Sequence, residues 1–364
     1  MIMIKFNQLD RGYYKYKNEY DEAAINVLNS GRYILGKSLS DFETNFSNFV
    51  GTRYCVGTNS GLDSLILAFR AIGVGRGDEV IVPANTYIAS IIGITANGGT
   101  PIFIEPDEYY NINPRLIEQA ITSKTKAILA VHLYGQAANM SRIYMLAEKH
   151  RIFLVEDCAQ SHGASHNNKV TGSWGHVACF SFYPTKNLGA FGDGGAITTD
   201  SREMCEEIKM LRNYGSKTIY QNDVVGFNSR LDEMQAALLN IRLSHYDEIR
   251  RERSAIANTY LKQINNPKII LPRVLVNSDS VWHVFPVRTE HRDKLIEYLF
   301  EKGVETKIHY PIPPHLSKAY KHLGYKQGDF PITESYAKQL VSLPIYEGMT
   351  VEEVVYVADA INQF

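Results

Sequence analysis

The 364 residues, 45% hydrophobic and 21% charged with a formal net charge of −1, suffice for a large buried core. That balance gives no electrostatic reason to expect nucleic acid or an acidic membrane as partner. The opening MIMIKFNQLDRG lacks a secretory signal's apolar core, no run approaches the ~18 apolar residues of a membrane span, and Cys55, Cys158, Cys179 and Cys205 form no CxxC pair, so the expected compartment is a reducing cytoplasm.

In chain order, Glu19–Phe49 reads as helical, with interruptions at Gly31 and Gly36. From Tyr54 to Thr199, short apolar runs alternate with helical stretches. The strand candidates are Tyr54–Gly57, Glu79–Pro83, Pro101–Ile104, Ala127–Val131, Phe153–Glu156, Cys179–Phe182 and Ala196–Thr199. Helix candidates fall between them at Leu62–Ala71, Ile88–Asn97, Pro114–Ala120 and Ser141–His150, with Asn113 placed to cap the third. Several strands are too uniformly apolar to leave one face wet, which predicts a sheet covered by helices on both sides. The alternation predicts an α/β fold with a mostly parallel central sheet, whose ligands bind beyond the carboxyl ends of the strands.

A different rhythm starts near Asp232, with one long helical pattern running towards Ile264. Val281–Arg288, the amphipathic His291–Glu301 and Val304–Lys307 then predict a smaller α+β unit. Thr350 and Glu353 form a capping box for a final helix. The expected organisation is an N-terminal helical segment over 1–50, a large α/β domain over 51–240, and a connecting helix with a small C-terminal α+β domain over 241–364.

The segment SFYPTKNLGAFGDGGA, 181–196, runs from a strand into a loop with one lysine and then a glycine-rich turn. A lysine just past a buried strand is partly desolvated, which frees its amine for Schiff-base chemistry. A surface hairpin with an incidental lysine would give the same string. Upstream, Phe153-Leu-Val-Glu-Asp157 ends an apolar strand with two acids. Asp157 is positioned to pair with a protonated pyridine nitrogen and Gln160 to bond a ring oxygen, although strand-end aspartates more often cap helices. Ser60, Gly61 and Leu62 open a helix after a strand, where free amides suit a phosphate. Tyr87 follows another strand end and can stack on an aromatic ring. Cys158, His162 and His166 are spaced like zinc ligands, but Gly163 interrupts them and a fourth ligand is lacking, so no metal is expected. Gly73, Gly75 and Gly77 precede a strand instead of joining strand to helix, which excludes a dinucleotide loop.

Together these strings resemble the DegT/DnrJ/EryC1/StrS family of sugar aminotransferases, which have the aspartate-aminotransferase (type I) fold. The likeness covers nearly the whole chain: NSGLDSL (59–65), GDEVIVPANTYIAS (77–90), HLYGQ (132–136), EDCAQSHGA (156–164), SFYPTKNLGAFGDGGA (181–196), RNYG (212–215), GFNSRLDEMQAALL (226–239) and HYPIPPHL (309–316). The resemblance implies pyridoxal 5′-phosphate as cofactor, with Lys186 as its covalent anchor and proton carrier. Asp157 would hold the ring nitrogen, Gln160 would lie near the ring hydroxyl and Tyr87 would stack on the ring. Ser181, with the amides of Gly61 and Leu62, would bind the phosphate. Asn228 matches an asparagine that reaches the neighbouring subunit's phosphate, implying a homodimer with shared sites.

Tyr183, where many relatives have histidine, points to the branch acting on dTDP-linked 3-keto-6-deoxyhexoses with L-glutamate as amino donor. The resemblance implies that Tyr183, His309, Tyr310 and His315 would fall near the sugar there, although a Pro-rich packing loop would give the same 309–316 string. Arg32, Lys217 and Arg230 are candidates for the nucleotide diphosphate, though each could equally be a solvated charge. A C4 aminotransferase on UDP- or dTDP-4-keto sugars, a dehydratase, and a non-catalytic PLP-binding regulator remain alternatives. Relatives of the dehydratase type usually carry histidine in place of the lysine.

Overall fold

The computed structural model describes residues 3–218 and 220–364. Its centre is a seven-stranded sheet: β1 (Tyr54–Thr58), β2 (Glu79–Pro83), β3 (Thr100–Ile104), β4 (Thr125–Val131), β5 (Phe153–Asp157), β6 (Val177–Ser181) and β7 (Gly195–Thr199). The spatial order is β1-β7-β6-β5-β4-β2-β3. β3, β2, β4, β5 and β6 run parallel, and β7 is antiparallel to both its neighbours.

Alternation along each strand sends successive side chains to opposite faces. Leu129 and Val155 therefore join Leu65 and Phe69 in one core, while Ile128 and Leu154 meet Ile143 in another. Phe42 and Phe46, from the helix Lys37–Val50, pack on Phe180 and Phe182. A separate apolar cluster gathers Tyr260, Phe285, Leu295, Leu343 and Val357. Its paired strands are Phe285–Arg288 and Leu340–Leu343.

The structure departs from the sequence expectations at several places, and of Val281–Arg288 only Phe285–Arg288 is strand. The pattern from 232 to 264 is two helices, Glu233–Ser244 and Tyr246–Gln263, divided at His245, whose ring stacks on Tyr16 at 3.9 Å. Val304–Lys307 is not a strand, because its pairing is split between two partners: Val304 bridges Ile4 and Lys307 bridges Ser342. The helix begun at Ile88 stops at Thr95, where the Asn97 amide donates to the Ile66 and Gly93 carbonyls. Thr350 and Glu353 do form the capping box. Among the described residues, no helix is long and apolar enough to cross a membrane.

Candidate active site

β5 ends with two acids that the strand's alternation sends to opposite faces. Glu156 is fully buried and accepts four bonds: from His132 Nε2 at 3.0 Å and from the amides of Gly172, Trp174 and Gly175 at 2.8 Å each. His132 Nδ1 accepts the Ala138 amide at 3.0 Å, so its proton sits on Nε2 and points at Glu156. That carboxylate is fully engaged in the fold. Asp157 instead lines a cavity of about 820 Å³ at the carboxyl ends of the strands. Its Oδ2 accepts from Ser90 Oγ at 2.7 Å and its Oδ1 from the Ala159 amide at 3.1 Å.

Lys186 follows β6 in a tight loop, where its amide donates to the Tyr183 carbonyl at 2.8 Å and the Ala190 amide to that of Phe182. A Cβ at Gly189 would lie 2.3 Å from the Pro184 carbonyl oxygen, so only glycine closes this turn. The amine reaches the same cavity as Asp157. Desolvation lowers its pKa to about 8, with the Asp157 carboxylate pulling the other way. Gln160 Oε1 is occupied by the Tyr134 amide at 2.6 Å, which turns the side-chain NH2 outward, donating to the Tyr310 hydroxyl at 3.0 Å.

The helix Gly61–Ala71 starts at the same cavity, its cap made by Ser60 Oγ accepting from the Asp63 amide at 3.1 Å. The amides of Gly61 and Leu62 belong to the first turn, where a helix offers them no acceptor of its own. The β1–β7–β6 register sets Gly195 between Thr58 and Ser181. A Cβ on Gly195 would meet Ser60 backbone at 2.4 Å, and one on Gly61 would meet Ser181 Cβ at 2.5 Å. These contacts leave a narrow polar cradle of amides and one hydroxyl, the donor set an anion requires. Tyr87, half exposed, stands over the cavity with its ring 4.9 Å from that of Tyr310.

Tyr183, His309 and Tyr310 also line the cavity. Desolvation, with help from the Lys186 and Lys307 charges, lowers the His309 pKa to about 4, and its Nδ1 lies 2.9 Å from Ser342 Oγ. His315 is elsewhere: it is buried 3.3 Å from Glu334, with its ring against Phe103 and Phe330. Asn228 is exposed, pairs through its backbone with Asn213, and does not line this chain's cavity. Arg32, Lys217 and Arg230 lie outside it too, and Arg230 is spent on Asn213 Oδ1 at 3.0 Å.

The zinc-like trio diverges. His162 sits between Phe180 and Phe182, where burial pushes its pKa down to about 3, and His166 Nδ1 pairs with Ser278 Oγ at 2.7 Å. Cys158 lies instead with His132 and Glu156, their potential ligand atoms all within 4.8 Å, but those two already satisfy each other.

Sequence reasoning missed several cavity residues. Phe6, Asn7 and Lys307 reach it only because Ile4 pairs with Val304, a contact with no local signature. Ser90, which donates to Asp157 without lining the cavity, was findable, since it falls four residues after Thr86 on the helix opened by Tyr87.

The model of the DegT/DnrJ/EryC1/StrS aminotransferase family matches residues 15–362. A dTDP-3-amino-3,6-dideoxy-alpha-D-galactopyranose transaminase of Aneurinibacillus thermoaerophilus is 51% identical, over 100% of this chain and 99% of its own. A dTDP-3-amino-3,4,6-trideoxy-alpha-D-glucose transaminase of Streptomyces venezuelae is 47% identical, over 99% and 96%. The crystal structure of S. venezuelae DesV in complex with a ketimine intermediate superposes with a TM-score of 0.98 at 47% identity, covering 100% of this chain and 98% of that one. With its sheet, lysine loop and anion cradle all in place, this chain belongs to the DegT/DnrJ/EryC1/StrS aminotransferase family.

Proposed function

We propose that this chain transfers the amino group of L-glutamate to a dTDP-linked 3-keto-6-deoxyhexose, giving 2-oxoglutarate and a 3-amino-3,6-dideoxy sugar nucleotide. The observation that carries the reading is Lys186, an amine lowered to about 8 that shares one cavity with Asp157. Position 3 is supported by the two transaminases of 3-amino sugars that match the chain end to end.

The cofactor is pyridoxal 5′-phosphate. When bound, it supplies an aldehyde that captures primary amines and a ring that absorbs electrons from the carbon losing its proton. The residues present fit such a group. Asp157 would hold a proton on the ring nitrogen, and the outward NH2 of Gln160 would donate to the ring oxygen. Tyr87 would cover one ring face, while Ser181 and the amides of Gly61 and Leu62 would hold the phosphate. Lys186 Nζ takes the proton from the α-carbon of the amino donor and, in the second half-reaction, delivers one to C3 of the sugar. Its lowered pKa leaves a useful fraction of neutral amine for that work.

Tyr183, His309 and Tyr310 line the cavity and would touch the sugar, whereas the buried position of His315 gives it no such contact. Exposed Asn228 would reach the cofactor phosphate of a second copy, which makes the functional unit a homodimer with shared sites. Mixing Asn228→Ala with Lys186→Ala subunits should then restore activity, and no recovery after confirmed subunit exchange refutes the sharing.

The holoenzyme, given glutamate alone, should lose its visible absorbance band and release 2-oxoglutarate; an unchanged band would identify a regulator. Given glutamate and a dTDP-3-keto-6-deoxyhexose, it should yield a C3 amine by NMR. Amination only of a 4-keto sugar would move the assignment to C4.

A further inference from the structure

We infer that Ser90 is a positioning residue for the cofactor's ring nitrogen: with Thr86 it forms a one-way chain of hydroxyls that holds Asp157 as an oriented carboxylate. This rests on the assignment of Asp157 to that nitrogen.

Thr86 Oγ1 lies 2.7 Å from Ser90 Oγ, which lies 2.7 Å from Asp157 Oδ2. All three are buried, at 1%, 1% and 6% exposure, so each hydrogen bond operates without competition from bulk water. An ionised carboxylate only accepts, so Ser90 must donate to Asp157. Its oxygen is then the acceptor for Thr86, and the chain runs in one direction. Reversing it would require a proton on Oδ2. The carboxylate, the form that keeps a proton on a neighbouring pyridine, is thereby held in one orientation.

The second carboxylate oxygen is held by the Ala159 amide at 3.1 Å. With one donor on each oxygen the carboxylate plane is fixed at a residue that lines the cavity. The helix Ile88–Thr95 that carries Ser90 begins at Tyr87, the ring standing over the same space. One helix turn thus sets both the covering aromatic and the orientation of the acid beneath it.

The test uses holoenzyme reconstituted with pyridoxal phosphate carrying 15N at the ring nitrogen, reading the nitrogen chemical shift and the cofactor dissociation constant. Ser90→Ala should move the shift towards the unprotonated ring and weaken cofactor binding about tenfold, the scale of one lost hydrogen bond to a charge. Ser90→Thr, which keeps the hydroxyl, should restore both readings. Thr86→Val should move the shift the same way by a smaller amount, and it serves if Ser90→Ala does not fold. An unchanged shift and affinity in the serine and threonine variants, beside a full shift in Asp157→Asn, overturns the chain. An unchanged shift in Asp157→Asn overturns instead the assignment of Asp157, and the inference with it.

Discussion

The floor and the wall of the cavity are built differently. The floor (Asp157, Ser181, Lys186 and the Ser60–Leu62 turn) hangs from strand ends whose register fixes every residue against its neighbour. The wall (Phe6, Asn7, Lys307, His309 and Tyr310) is attached by isolated pairings, Ile4 to Val304 and Lys307 to Ser342, and by the Tyr134 hydroxyl donating to the His309 carbonyl. A strand inside a sheet cannot slide without breaking its whole ladder, whereas a segment held at single points can be re-aimed by one substitution. The covalent chemistry proposed for the floor and the substrate contacts proposed for the wall follow that division of rigidity.

The sharpest way to break this contrast is at the floor. Lys186→Ala should lower turnover by about 10⁴-fold or more, with cofactor binding retained in part. Single-turnover assays check it, and wild-type rates would end the assignment. At the same residue, the rate of cofactor capture by the apoprotein should rise with pH through about 8. Below that value the amine is protonated and cannot attack; above it the nucleophile is free. A stopped-flow pH profile that is flat from 7 to 9 contradicts this.

Next in size, Asp157→Asn should cut the rate by about 10²- to 10³-fold with little change in thermal stability, because the ring nitrogen loses its anionic partner. The neighbouring position should do the reverse. Glu156→Ala strands three backbone amides and the His132 donor, so unfolding free energy should fall by about 3 kcal/mol in denaturant titrations. The smallest effect belongs to the wall. Tyr310→Phe should change kcat/KM for the keto sugar by about fivefold, through loss of the hydrogen bond from Gln160, while the glutamate half-reaction changes less. An equal loss in both halves would place Tyr310 with the floor.

The same contrast explains what could be read from the amino acids alone. Every strand of the sheet announced itself as an apolar run, and observed bounds differ from the expected ones by a residue or two at the ends. The position of Asp157 and Lys186 at one cavity was legible because strand-end acids and loop lysines have a chemistry of their own. Strand alternation says only that Glu156 and Asp157 face opposite ways; which of them enters the cavity is decided by the four donors around Glu156. His315 shows the limit: its string lies beside His309 and Tyr310, yet the chain turns it under Phe103 and Phe330. Nothing local distinguishes a histidine that faces a cavity from one that plugs a core. Phe6 and Asn7 were illegible because their position depends on a pairing 300 residues away in sequence.

The contact between Gly61 and Ser181 also bears on how this scaffold can be redesigned. A single methyl at position 61 would collide with the serine Cβ, so saturation libraries that include residue 61 would be populated mainly by inactive clones. Diversity directed at 6, 7, 307 and 310 instead spares that junction and alters the wall of the cavity.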